Sequence, residues 1–93
     1  MAVHRIEIIP GNPPTVDQET LHISKKAGDR VMWWSRSHDW AVAFDVKTPF
    51  ELHYYAPSHP QNQHITVDAG TEGYKYTIFV DGNSADPMII VNP

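Results

Sequence analysis

Ninety-three residues, a net charge of −4 and no cysteine describe one domain, 1–93, that has neither disulfides nor thiolate chemistry. A chain of this size buries roughly 60–70% of its unfolded surface, enough for one core. Its seven Lys and Arg residues are scattered rather than gathered in a stripe, which argues against nucleic acid as a partner.

The start, Met1-Ala-Val-His-Arg-Ile-Glu7, lacks the basic segment and apolar run of a signal peptide. No apolar stretch approaches the roughly 20 residues that span a bilayer, so no membrane association is expected. The expected location is cytoplasmic, or periplasmic if an exporting segment has been removed.

Val3–Ile9 reads as a first strand, with Ile6 and Ile8 alternating against Arg5 and Glu7. Pro10-Gly11 and Asn12-Pro13-Pro14 break it. Thr20–Ser24 is a second strand with Leu21 and Ile23 on one face, and Gly28 suits a turn with positive φ. Arg30–Ser35 is the third, with Val31 and Trp33 on one side and Met32 and Trp34 on the other. After a polar loop, 35–39, comes Trp40–Asp45, where Trp40, Val42 and Phe44 face one way and Ala41 and Ala43 the other.

Residues 46–63 read as irregular. Pro57 and Pro60 oppose a helix through the middle, and Phe50–Tyr55 is the place for a short helical turn. His64–Asp68 is a further strand. Gly73–Val80 is the long strand around which the chain is organised, with Tyr74, Tyr76, Ile78 and Val80 on one side and Lys75, Thr77 and Phe79 on the other. A polar loop, 81–86, leads to a closing strand, Pro87–Val91. About seven short strands with turns between them and no long amphipathic helix predict an all-β, antiparallel Greek-key β-sandwich.

Three patterns in this order resemble the cupredoxin family, the plastocyanin-like copper proteins: Ala27-Gly-Asp-Arg-Val-Met-Trp33, Trp40-Ala-Val-Ala-Phe44, and Gly73-Tyr-Lys-Tyr-Thr-Ile78 with its loop and Met88-Ile-Ile-Val91. The first is similar to the family's Gly-Asp-x-Val-x-Trp/Phe strand and the second to its His-x-Val-x-Phe strand. The third is similar to its Tyr-x-Phe/Tyr-x-Cys strand with the ligand loop. The resemblance covers residues 20–93 and implies a cupredoxin-like sandwich. It also implies where a blue-copper site of two His, a Cys and a Met would stand. Trp40 takes the place of the first His and Ile78 that of the Cys. Phe79, Val80 and Asp81 stand where the second His belongs, and Ser84, Ala85 and Asp86 where the axial Met belongs; Met88 comes too late. The resemblance thus implies a type 1 copper pocket plugged by Trp40 and Ile78, with no copper and no electron transfer.

Six histidines invite a metal reading. His38, His53, His59 and His64 are the candidates, with Asp39 or Asp81 beside His38, but their spacing matches no metal motif. No cofactor is expected. No Gly-x-Ser-x-Gly or other nucleophile signature is present, and His38-Asp39 is a dyad in sequence alone, so no enzyme is expected. Met32 and Trp34, turned away from the Trp33 core, form the candidate interaction surface, with Ala41 and Ala43 beside them and Met88 and Ile90 on another outer face. The competing expectation is that segment 46–63 covers them with Tyr54 or Phe50. The sequence therefore predicts a non-catalytic binding or assembly module acting through this surface, as a homo-oligomer or on another protein. The alternatives are a histidine-based metal binder and a small-molecule or carbohydrate binder using the tryptophans.

Overall fold

The alternation that marks Val3–Ile9, Thr20–Ser24 and Arg30–Ser35 is reproduced in a computed structural model, which describes residues 2–59 and 63–93. Its strands are β1 (Val3–Ile9), β2 (Thr15–Val16), β3 (Thr20–Ser24), β4 (Arg30–Ser35), β5 (Trp40–Ala43) and β6 (Tyr54–Tyr55). They continue as β7 (Gln63–His64), β8 (Gly73–Lys75), β9 (Thr77–Val80), β10 (Asn83–Ala85) and β11 (Met88–Asn92). The sheets run β2-β1-β4-β7, β10-β9-β5-β6 and β3-β11-β8. They close around one apolar core as an all-β sandwich.

Two expectations are corrected. The pairing is not wholly antiparallel: β1 runs parallel to β4, and β3 parallel to β11. There are also more strands than about seven, because short pairs escape a periodicity reading. Tyr54–Tyr55 is a strand paired with Val42 and Ala43 rather than part of a helical turn. Two residues cannot display a period. Pro60, invoked against a helix, lies outside the described residues.

The polar 81–86 stretch is a hairpin. Asp81 and Gly82 both take positive φ, 50° and 82°, and Val80 pairs with Asn83 across them. A two-residue Asp-Gly loop with this geometry matches the right-handed twist of its strands. At the other end of the chain's strand list, His64–Asp68 shortens to Gln63–His64, and the fourth strand ends at Ala43.

The expected long strand 73–80 is present as two ladders in one line of chain. Tyr74, Tyr76, Ile78 and Val80 are all buried, as their alternation requires. Yet β8 pairs with β11, whereas β9 pairs with β5 and β10. Tyr76 is the joint, its N–H donating to Pro87 O at 3.1 Å.

Trp33 is the hub of the core. Phe44, Phe50, Tyr55 and Tyr76 surround it with ring centroids 6.0, 5.8, 5.3 and 5.7 Å away. Three of these contacts are edge-on, the arrangement the ring quadrupoles favour, and Tyr55 stacks. The Tyr76 hydroxyl and the Trp33 indole nitrogen are buried side by side, and neither has a well-formed hydrogen bond among the described residues. Burial pushes the Tyr76 and Tyr55 phenols up, because the charged phenolate loses its water; the Trp33 indole N–H offsets part of that rise at Tyr76.

The Gly28-Asp29 turn has a second role. Asp29, 9% exposed, accepts hydrogen bonds from Ser24 N at 2.8 Å and Ala2 N at 3.2 Å and meets His4 Nε2 at 3.3 Å. It fastens the start of β1 to the β3–β4 turn. These partners, Ser24 N–H first, hold its carboxyl below the usual carboxylate range against the opposing effect of burial.

Candidate functional site

Neighbouring residues of a strand point to opposite faces, and β4 separates Trp33, 3% exposed, from Trp34, 37% exposed. Met32, half-buried, lies on the Trp34 side. The register with β1 sets Arg5 opposite Met32 and Glu7 opposite Trp34. Val3 and Ile9, also partly exposed, share that outer face of β1 by parity. Arg36 reaches Glu7 at 3.7 Å. The surface around Trp34 is therefore apolar and interlaced with charge of both signs.

Ala41 and Ala43, expected beside it, belong instead to the β10-β9-β5-β6 sheet; Met88 and Ile90, expected on another outer face, are on the β3-β11-β8 sheet. Phe50 is not a cover for Trp34; it is buried on the opposite side, against Trp33. Tyr54 stays exposed on the sheet that carries Ala41 and Ala43.

The Trp40 and Ile78 positions differ in depth. Ile78 is fully buried opposite Val42. Trp40, opposite Val80, is half-buried and packs on the edge of the core. Near it the 35–39 and 81–86 loops come together: Ser37 Oγ donates to Asp81 Oδ1 at 2.6 Å, and Asp81 N–H to Asp39 O at 3.0 Å. His38 lies in this loop pair, exposed.

The other histidines are engaged locally. His53 Nδ1 lies 2.8 Å from Phe44 O, and His59 Nδ1 accepts Ala56 N–H at 2.8 Å while its ring meets Tyr54 and Tyr55 edge-on. His64 is on β7 opposite Arg30. Among the described residues no group of three or more His, Asp or Glu side chains is arranged to hold a metal.

Two concavities accompany these surfaces. A depression of about 110 Å³ is lined by Asp39, Trp40, Tyr54, Phe79 and Asp81, among others. Tyr54 and Phe79 are 52% and 45% exposed, and the register sets Ala43 opposite Tyr54 and Ala41 opposite Phe79. The legible signal was Phe79, a large aromatic on the outward side of its strand. A wider cleft of about 540 Å³ lies between residues 45–47 and 73–77, with Asp86 at its edge. Lys47 forms an ion pair with Glu72 there and lies 5.7 Å from the centre of the Tyr74 ring. Thr77 Oγ1 donates to Asp86 Oδ1 at 2.9 Å. Val46, 86% exposed beside a run of strand, was the only sequence signal for it.

Among the described residues no helix is long and apolar enough to cross a membrane. Comparison with protein-family models, with curated proteins and with solved structures found no match.

Proposed function

We propose that the protein is a non-catalytic binding or assembly module, a cupredoxin-like sandwich whose copper pocket is filled by side chains. The observation that carries the binding reading is Trp34, 37% exposed on the outer face of a hydrogen-bonded sheet, with Met32, Val3 and Ile9 on the same face and Arg5, Glu7 and Arg36 among them. Exposed aromatic and aliphatic surface interlaced with charge suits a protein–protein contact, in which Trp and Arg supply much of the binding energy. The partner is a second copy of the chain or another protein. Sedimentation tests the first: the wild type associates, and Trp34→Glu is monomeric and still folded. A monomeric wild type at high concentration removes the homo-oligomer.

The filled pocket is supported by Ile78, fully buried, and by Trp40 packed on the core. Chelator-stripped protein is expected to show no thermal shift with Cu²⁺, Zn²⁺ or Ni²⁺. A ligand at a hundredfold excess over its Kd stabilises by about 2.7 kcal/mol, well within detection. A clear shift with one metal would replace this reading with the histidine-based one.

A carbohydrate-binding reading is favoured by a separate observation, the exposed rings of Tyr54 and Phe79 beside Trp40, Asp39 and Asp81. Such a set offers apolar faces for a sugar ring and carboxylates for its hydroxyls. Titration of simple sugars would then change tryptophan emission in the wild type and not in Phe79→Ala.

A further inference from the structure

The wide cleft begins where a ladder opens. β5 and β9 pair from Trp40–Val80 to Ala43–Thr77. The same register, continued, would set Asp45 against Lys75 and Val46 against Tyr74. Instead the ladder stops at Ala43–Thr77, Val46 is 86% exposed, and about 540 Å³ separates the two segments.

The β8 wall of this cleft is an unfilled strand edge. Antiparallel strands direct the amides of successive residues to alternate sides. Glu72 O accepts from Val91 N–H, and Tyr76 N–H donates to Pro87 O, so the even-numbered residues of this stretch face β11. Gly73 and Lys75 consequently turn their N–H and C=O groups toward the cleft, where among the described residues they have no ladder partner. Both walls carry charge of both signs, Asp45 and Lys47 on one and Lys75 and Asp86 on the other. Lys47 is paired with Glu72, whereas Lys75 and Asp45 have no ion-pair partner among the described residues.

We infer that this cleft is a peptide-binding groove that takes an extended segment of a partner protein as an added strand on β8. The incoming backbone bonds to Gly73 and Lys75, which is the chemistry of strand addition. Opposite charges across a strand pair are stabilising, so the segment carries an acidic side chain for Lys75 and a basic one for Asp45. The volume falls in the range of roughly 300–1,000 Å³ found for ligand sites. The groove is on a different sheet from Trp34 and does not depend on the Trp34 reading.

The test is selection of a phage-displayed random dodecapeptide library on the whole chain, followed by binding of the synthesised winners. Expected are peptides that carry both an acidic and a basic residue and that shift the Gly73 and Lys75 amide resonances. Lys75→Pro removes a donor that faces the groove and none that faces β11, and is expected to weaken binding about tenfold. Lys75→Glu and N-methylation of the peptide's ladder-facing amides weaken it as well, and serve if the proline variant does not fold. Trp34→Glu leaves it unchanged. Absence of enriched peptides, equal binding to the Lys75 variants, or strong exchange protection of the Gly73 and Lys75 amides in the unliganded protein would each overturn the inference.

Discussion

Trp33 and Trp34 are consecutive residues of one strand with opposite fates. Trp33 touches four aromatic rings and is 3% exposed; Trp34 lies over a face laced with Arg5, Glu7 and Arg36 and is 37% exposed. Composition and β-propensity do not distinguish them. The pleat alone assigns one to the interior and leaves the other to water. The difference teaches that neighbouring aromatics in a strand meet opposite surroundings, the packed core on one side and solvent on the other.

Replacing the inner member should break the molecule. Trp33→Ala is expected to cost about 3–5 kcal/mol, as for other buried large-to-small changes. For a domain of this size that is a large part of the whole stability, commonly about 5–15 kcal/mol. Urea denaturation measures it; a loss under about 1 kcal/mol would mean that the two faces are less distinct than their burial indicates.

Both faces of β4 depend on the strand staying in register with β1, and Asp29 helps to hold the start of β1 beside it. Asp29→Ala leaves the N–H groups of Ser24 and Ala2 without their acceptor and is expected to cost about 1–3 kcal/mol. The wild-type contribution depends on pH. The folded carboxyl titrates below the unfolded one, near pH 4. It therefore stabilises fully above that value, and the stability is lost as pH falls through the folded-state pKa. Acid titration followed by circular dichroism should show a shallower acid limb in Asp29→Asn.

Tyr76 sharpens the comparison from the alkaline side. Its phenol is pushed up by burial, so its contribution is complete below about pH 10, where unfolded tyrosine titrates, and is lost as pH rises toward the higher folded value. Tyr76→Phe removes a buried hydroxyl that has no well-formed hydrogen bond among the described residues and is expected to change neutral-pH stability by no more than about 1 kcal/mol. It should also flatten the alkaline limb. A larger loss would reveal a partner for that hydroxyl. The smallest stability effect belongs to the outer member. Trp34→Glu should stay within about 0.5 kcal/mol by denaturation, while association changes.

The parts of the fold that were legible are those in which a strand of four or more residues buries one face. β1, β3 and β4 have their predicted bounds, and the Tyr74, Tyr76, Ile78 and Val80 side of the long strand is buried throughout. What escaped were pairings that carry no pattern. Thr15–Val16 and Tyr54–Tyr55 are too short to alternate, and Asn83–Ala85 is polar because it sits at a sheet edge. The Asp81-Gly82 hairpin was readable from its turn residues. The parallel pairings were not, since periodicity does not encode direction. The candidate surfaces followed the same division: Trp34 was visible by parity, whereas the cleft beside β8 arises from where a ladder ends. That is a property of two segments about 30 residues apart.

The parallel pairing of β3 with β11 also has a consequence in time. Thr20 meets Met88 and Ser24 meets Asn92, so an early strand is hydrogen-bonded to one made near the end of the chain. While the polypeptide is being synthesised, β3 must wait for β11. Chains emerge at roughly 5–20 residues per second, so the nascent protein spends several seconds with Leu21 and Ile23 uncovered by Ile89 and Val91. Deleting Met88–Asn92 would extend that wait indefinitely, leaving β3 without its strand partner and available to other nascent chains.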